Sequence, residues 1–118
     1  MSTAANIAIA LVALLHLYFL VLEMFLWTRP FGRRVFKLTP EFAAASRGLA
    51  ANQGLYNGFL VAGLLWGLAM GAPGIQVKVF FLTCVIVAGV FGGATVNRNI
   101  LFVQAIPGIL ALALVLQV

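Results

Sequence analysis

Charge is scarce in this chain, and negative charge scarcest: two carboxylates, Glu23 and Glu41, stand against seven Lys and Arg in 118 residues. Charged residues make up 8% of the sequence, where a soluble domain carries about 25%. Together with a 64% hydrophobic content, that shortage excludes an ordinary soluble fold. The single cysteine, Cys84, excludes an intrachain disulfide and a CxxC redox pair. The single histidine, His16, has none of the partners that a zinc or haem site would need, so no metal site is expected. The basic residues are too few and too localised to form a nucleic-acid stripe. Residues 1–15 lack a basic leader and run into a long apolar stretch, which reads as a retained helix rather than a signal peptide.

Four long apolar stretches are present: Ala4–Trp27, Leu49–Met70, Val77–Ala94 and Ile100–Gln117. Each approaches the roughly 20 residues that a membrane-crossing helix needs. The sequence therefore predicts one all-α domain over residues 1–118, an integral membrane bundle of four transmembrane helices. The first connection, TRPFGRRVFKLTPEF, reads as a basic loop. Within it, Thr39-Pro40-Glu41 supplies a hydroxyl cap, a proline for the first turn and an acid against the helix dipole. The second helix is expected to begin there. Gly71-Ala72-Pro73-Gly74 and Thr95–Asn99 mark the remaining turns.

Positive charge orients such a protein. Arg29, Arg33, Arg34, Lys37 and Arg47 cluster around the first connection and Arg98 lies in the third, against Lys78 alone on the other side. Both termini are thus expected on the non-cytoplasmic side of a bacterial inner membrane. Trp27 and Trp66 fall near opposite interfaces, where aromatic belts form. The basic connection also suits the headgroups of anionic lipids.

The polar residues inside these spans are few and carry the functional reading. His16 and Glu23 are seven residues apart, two helical turns, so they share a face about 10 Å apart along the axis. A Glu near a span centre costs roughly 3 kcal/mol to insert, which the apolar residues around it offset. Such acids generally face a bundle interior or a watery cavity. In the second span, Asn52, Gln53, Tyr56 and Asn57 occupy an arc of roughly 140°. Gln104, in the fourth, precedes Pro107, which is expected to kink the helix and free a carbonyl. At a shared depth, these seven residues read as the lining of a cytoplasmic-side pocket for a small molecule or lipid, of unknown identity and with no cofactor assigned. The competing reading is a set of interhelical hydrogen bonds. Glu23 is either paired with Arg47 or desolvated and able to carry a proton or meet a cation. Gly54-xxx-Gly58 and Gly89-xxx-Gly93 suit either a homo-oligomer seam or packing within the chain.

The succession HLYFLVLEMFLW, NQGLYNGFL, GGAT and QAIPGILAL resembles the bacterial family known as domain of unknown function 1304. That resemblance implies a four-helix integral membrane protein with no assigned chemistry. Two looser likenesses supply alternatives. The membrane-associated eicosanoid and glutathione metabolism proteins are similar in size and in their basic first connection. Likeness to them implies a glutathione-transferase-like enzyme acting on a lipophilic substrate, with Arg47 and the amides as its anion site. The small multidrug exporters are similar in length and in a single first-span Glu, which implies a proton-coupled exporter using Glu23.

Overall fold

A computed structural model describes residues 2–117. Among them the chain is entirely helical, with six α-helices and no strand. The first, α1 (Thr3–Met24), contains no proline or glycine in 22 residues, and the Ser2 hydroxyl accepts the Ala5 N–H at its start, 3.1 Å away. Then come α2 (Pro30–Phe36), α3 (Pro40–Ala45), α4 (Arg47–Met70), α5 (Ile75–Thr95) and α6 (Ile106–Leu116). A 3-10 turn at Ala72–Gly74 leads into α5, and a π-helical turn at Leu101–Ala105 leads into α6.

The expected starts and stops hold where local chemistry sets them. Thr39 Oγ1 accepts the Phe42 N–H at 3.1 Å, Pro40 opens α3, and Glu41 lies in its first turn. Gly71 turns the chain after α4 with φ +66°, a left-handed conformation that a glycine adopts without strain. Two departures from the sequence reading have identifiable causes. The first connection is not a plain loop: Pro30 sits at the start of α2, where its missing N–H costs nothing. That helix closes with Lys37 in the left-handed region (φ 56°), while the Leu38 N–H reaches back to the Arg33 carbonyl at 2.8 Å. Nor does one helix run unbroken from Pro40. It breaks at Ser46, whose hydroxyl donates to the Phe42 carbonyl at 2.7 Å and bends the chain between α3 and α4. At Pro107 the expected kink takes the form of the π turn, closed by the Ile106 N–H on the Leu101 carbonyl.

Two helical segments are long and apolar enough to cross a membrane, Thr3–Met24 and Ala72–Thr95. The apolar run Leu101–Leu116 is shorter, and α4 has the length, at 24 residues, but carries NQGLYNG. Large apolar side chains face outward on all of these helices, including Leu11, Leu14, Leu65, Phe80, Phe91 and Leu110.

The chain divides into two compact units. The first takes in the residues through Leu14 and those from Leu60 onward. Its core is Ala5, Ile9, Val12 and Ala13 of α1, Leu64 of α4, Leu82 and Val85 of α5, and Ala111 and Val115 of α6. Small residues let its backbones approach closely: a Cβ on Gly89 would lie 2.5 Å from the Ala105 nitrogen, and one on Gly93 2.9 Å from Leu101 Cβ. Lys78 is fully buried here, and its ammonium donates to the Gly71 carbonyl at 3.0 Å, just past the end of α4, where a cation suits the dipole. The second unit, Leu15–Phe59, holds the rest of α1, the short helices α2 and α3, and the first half of α4.

Candidate functional site

The polar residues singled out in the sequence fall mostly in the second unit. On α1, His16 is completely buried, with its ring edge-on to Phe19 at 5.5 Å between centroids. Glu23, two turns further along the same face, is half-buried. It meets Asn57 of α4, whose amide Nδ2 donates to Glu23 Oε1 at 2.5 Å, and Asn57 itself is only 5% exposed. Among the described residues Glu23 makes no ion pair. Of the two readings of Glu23, the pairing with Arg47 is not formed: Asn57 is its partner, and Arg47 is exposed at the start of α4.

This bond exists because α4 comes close to α1 at that level. Gly54 is buried against α1: a Cβ there would lie 2.5 Å from Met24 Cγ and 3.2 Å from Glu23 Cβ. Gly58 faces Leu20 one turn on. Asn57 lies about 60° around the helix from Gly54, so the glycine face brings the amide within reach of the carboxylate. The polar arc and the glycine face therefore overlap at Asn57.

The remainder of the arc points elsewhere. Asn52, Gln53 and Tyr56 are exposed, with Asn52 Nδ2 donating to Tyr56 Oη at 3.0 Å along the helix surface. Gln104 lies in the first unit, half-buried in the π turn before Pro107. Of the seven candidate residues, the structure thus pairs Glu23 with Asn57 and buries His16 on Glu23's helix. It holds Asn52, Gln53 and Tyr56 on an outer surface of the same unit.

Chemically, the pair is a carboxylate with one oxygen engaged. Glu23 Oε2 receives no hydrogen bond among the described residues, and a carboxylate has about four acceptor positions. Such a site can accept a donor from a ligand, or hold a proton. Among the described residues no group of three or more His, Cys, Asp or Glu is placed to hold a metal ion.

A second polar contact was not visible in the sequence. Trp27 Nε1 donates to Ser46 Oγ at 3.0 Å, and the indole packs on Phe36 at 4.9 Å between centroids. Ser46 thus accepts from Trp27 while donating to Phe42, tying the break between α3 and α4 to the end of α1. A serine after three alanines gives no hint of this.

Comparison with known proteins places the chain. The family model described as "Protein of unknown function (DUF1304)" matches residues 10–116. The chain belongs to that family. Glu23, Asn57 and the glycine face of α4 all lie within the matched stretch of this DUF1304 chain. The chain is similar to "Uncharacterized protein YpaA" of Lactococcus lactis subsp. lactis (strain IL1403), 32% identical over 104 residues, covering 86% of this chain and 87% of that protein. No solved structure matches it.

Proposed function

We propose that this is a multi-pass inner-membrane protein that uses Glu23, steadied by Asn57, to engage a small molecule or lipid bearing a hydrogen-bond donor or positive charge. The membrane reading draws on the two long apolar segments and on the outward-facing Phe and Leu side chains of the helices. On this reading α1 and α5 cross, and α4 crosses despite its polar segment, since 24 residues span about 36 Å. The 16 residues from Leu101 to Leu116 give about 24 Å, a shortfall that local bilayer thinning accommodates at modest cost. The chain then has four spans, with both termini on the non-cytoplasmic side and the basic segment from Arg29 to Arg47 at the cytoplasmic headgroups, where anionic lipids attract it.

The observation that carries the ligand reading is the Asn57–Glu23 bond itself. A half-buried acid on an apolar helix, with one oxygen held by an amide and the other unengaged, suits a partner that supplies a donor. His16, on the same helix face, belongs to the same polar track.

A hydrophobic carbodiimide added to membranes tests this directly, because it reaches carboxyl groups from the lipid phase. The expected result is a single adduct on Glu23, mapped by peptide mass and absent from Glu23→Gln. An unreacted Glu23, in protein whose Glu41 accepts a water-soluble carbodiimide, would identify the bond as a sealed interhelical staple.

A further inference from the structure

In the second unit, α4 turns outward a stripe that the fold leaves unused. Leu49, Asn52, Gln53, Tyr56 and Phe59 are all exposed, Leu49 at 77% and Phe59 at 57%. They recur at the alternating three- and four-residue spacing by which one helix meets another. A surface meant for lipid would be apolar throughout, and this one is not. Asn52 and Tyr56 bond each other, which leaves the Asn52 carbonyl oxygen and the whole Gln53 carboxamide without a partner among the described residues. A carboxamide carries both donors and acceptors, so its best complement is another carboxamide.

The glycine pairs that could have formed a seam are already occupied within their own units. Gly54 and Gly58 face Leu20, Glu23 and Met24, while Gly89 and Gly93 face Ala105 and Leu101. We propose that the Leu49–Phe59 stripe is the seam of a parallel two-fold dimer, in which α4 packs on α4 of a second copy. This inference rests on the reading of α4 as a membrane span. In hydrocarbon, exposed amides need a protein partner, whereas in water they would only be hydrated. Every copy inserts in the same direction because the same cations orient it. The two-fold axis therefore runs along the membrane normal, and each amide near it meets its own counterpart.

The test uses full-length protein in lipid vesicles, in a Cys84→Ser background, with one new cysteine at a time and a mild oxidant. Leu49→Cys and Phe59→Cys are expected to form dimers, while Leu17→Cys, on an exposed position of α1, remains monomeric. Adding Asn52→Leu and Gln53→Leu together is expected to weaken crosslinking at Leu49 about tenfold. Gly48→Cys and Ala69→Cys, both at exposed positions of α4, report whether α4 crosses, by reaction with an impermeant maleimide from opposite sides. Labelling of both from one side would overturn the membrane reading and the seam with it. A crossing α4 with no crosslink at Leu49, or one no faster than at Leu17, would overturn the seam alone.

Discussion

The two units are built on different physics. The first is closed by close backbone approach: Gly89 against Ala105, Gly93 against Leu101, and alanines at Ala5 and Ala111 in its core. The second buries few apolar side chains, chiefly Leu22, Ala43 and Ala50; Gly32 and Gly54 bring its backbones close, and directed bonds do the rest of the fastening. Asn57 holds Glu23, Trp27 holds Ser46, and Thr39 caps α3. Helices that meet through small residues gain from contact over their whole length, whereas directed bonds select one register and leave particular atoms available. The candidate site lies in the unit fastened by directed bonds. That is where a protein can hold a carboxylate without sealing it.

Mutations should separate the two modes. The largest effect is expected for Gly89→Leu, which drives a side chain into backbone that cannot yield; it should cost about 3 kcal/mol, read as a lowered thermal unfolding midpoint in detergent. Gly54→Ala in the second unit should cost less, about 1 kcal/mol, because a methyl is smaller and its nearest neighbour there is the Met24 side chain, with the Leu20 carbonyl further off at 3.2 Å. If the two glycine substitutions proved equally damaging, the contrast between the units would collapse. Between the two glycine substitutions falls Asn57→Leu, which strips Glu23 of its donor and should cost about 2 kcal/mol. Glu23→Gln keeps an acceptor for Asn57 and should change stability by less than about 0.5 kcal/mol. Trp27→Phe should cost about 1 kcal/mol and Ser46→Ala somewhat more, since Ser46 also donates to the Phe42 carbonyl; together they should cost less than their sum, because the Trp27–Ser46 bond is common to both. Opposite in sign, Lys37→Gly should raise stability by up to about 1 kcal/mol by relieving a left-handed residue at the end of α2.

The sequence made local features legible and left absolute orientation hidden. Thr39-Pro40-Glu41 announced a helix start because every group involved lies within one turn. The arc from Asn52 to Asn57 was also legible, since helical period fixes the angles between residues. Period does not say which edge of an arc turns inward. That was decided by Gly54 packing on Glu23 and Met24, which buries Asn57 and leaves Asn52 and Tyr56 outside. The break at Ser46 escaped notice for the same reason, since its cause includes an indole 19 residues away. Pro30 and Gly32 made α2 read as a loop, although Gly32 is where that helix packs on the Leu26 backbone with no room for a side chain.

On the function proposed above, Glu23 is held for a ligand rather than for stability. The direct measurement is native mass spectrometry of protein gently extracted from its own membrane, wild type beside Glu23→Gln. The expected result is a reproducible bound mass on the wild type that is lost from Glu23→Gln, while both unfold at nearly the same temperature. An empty wild type, or a bound mass that survives the substitution, would contradict it.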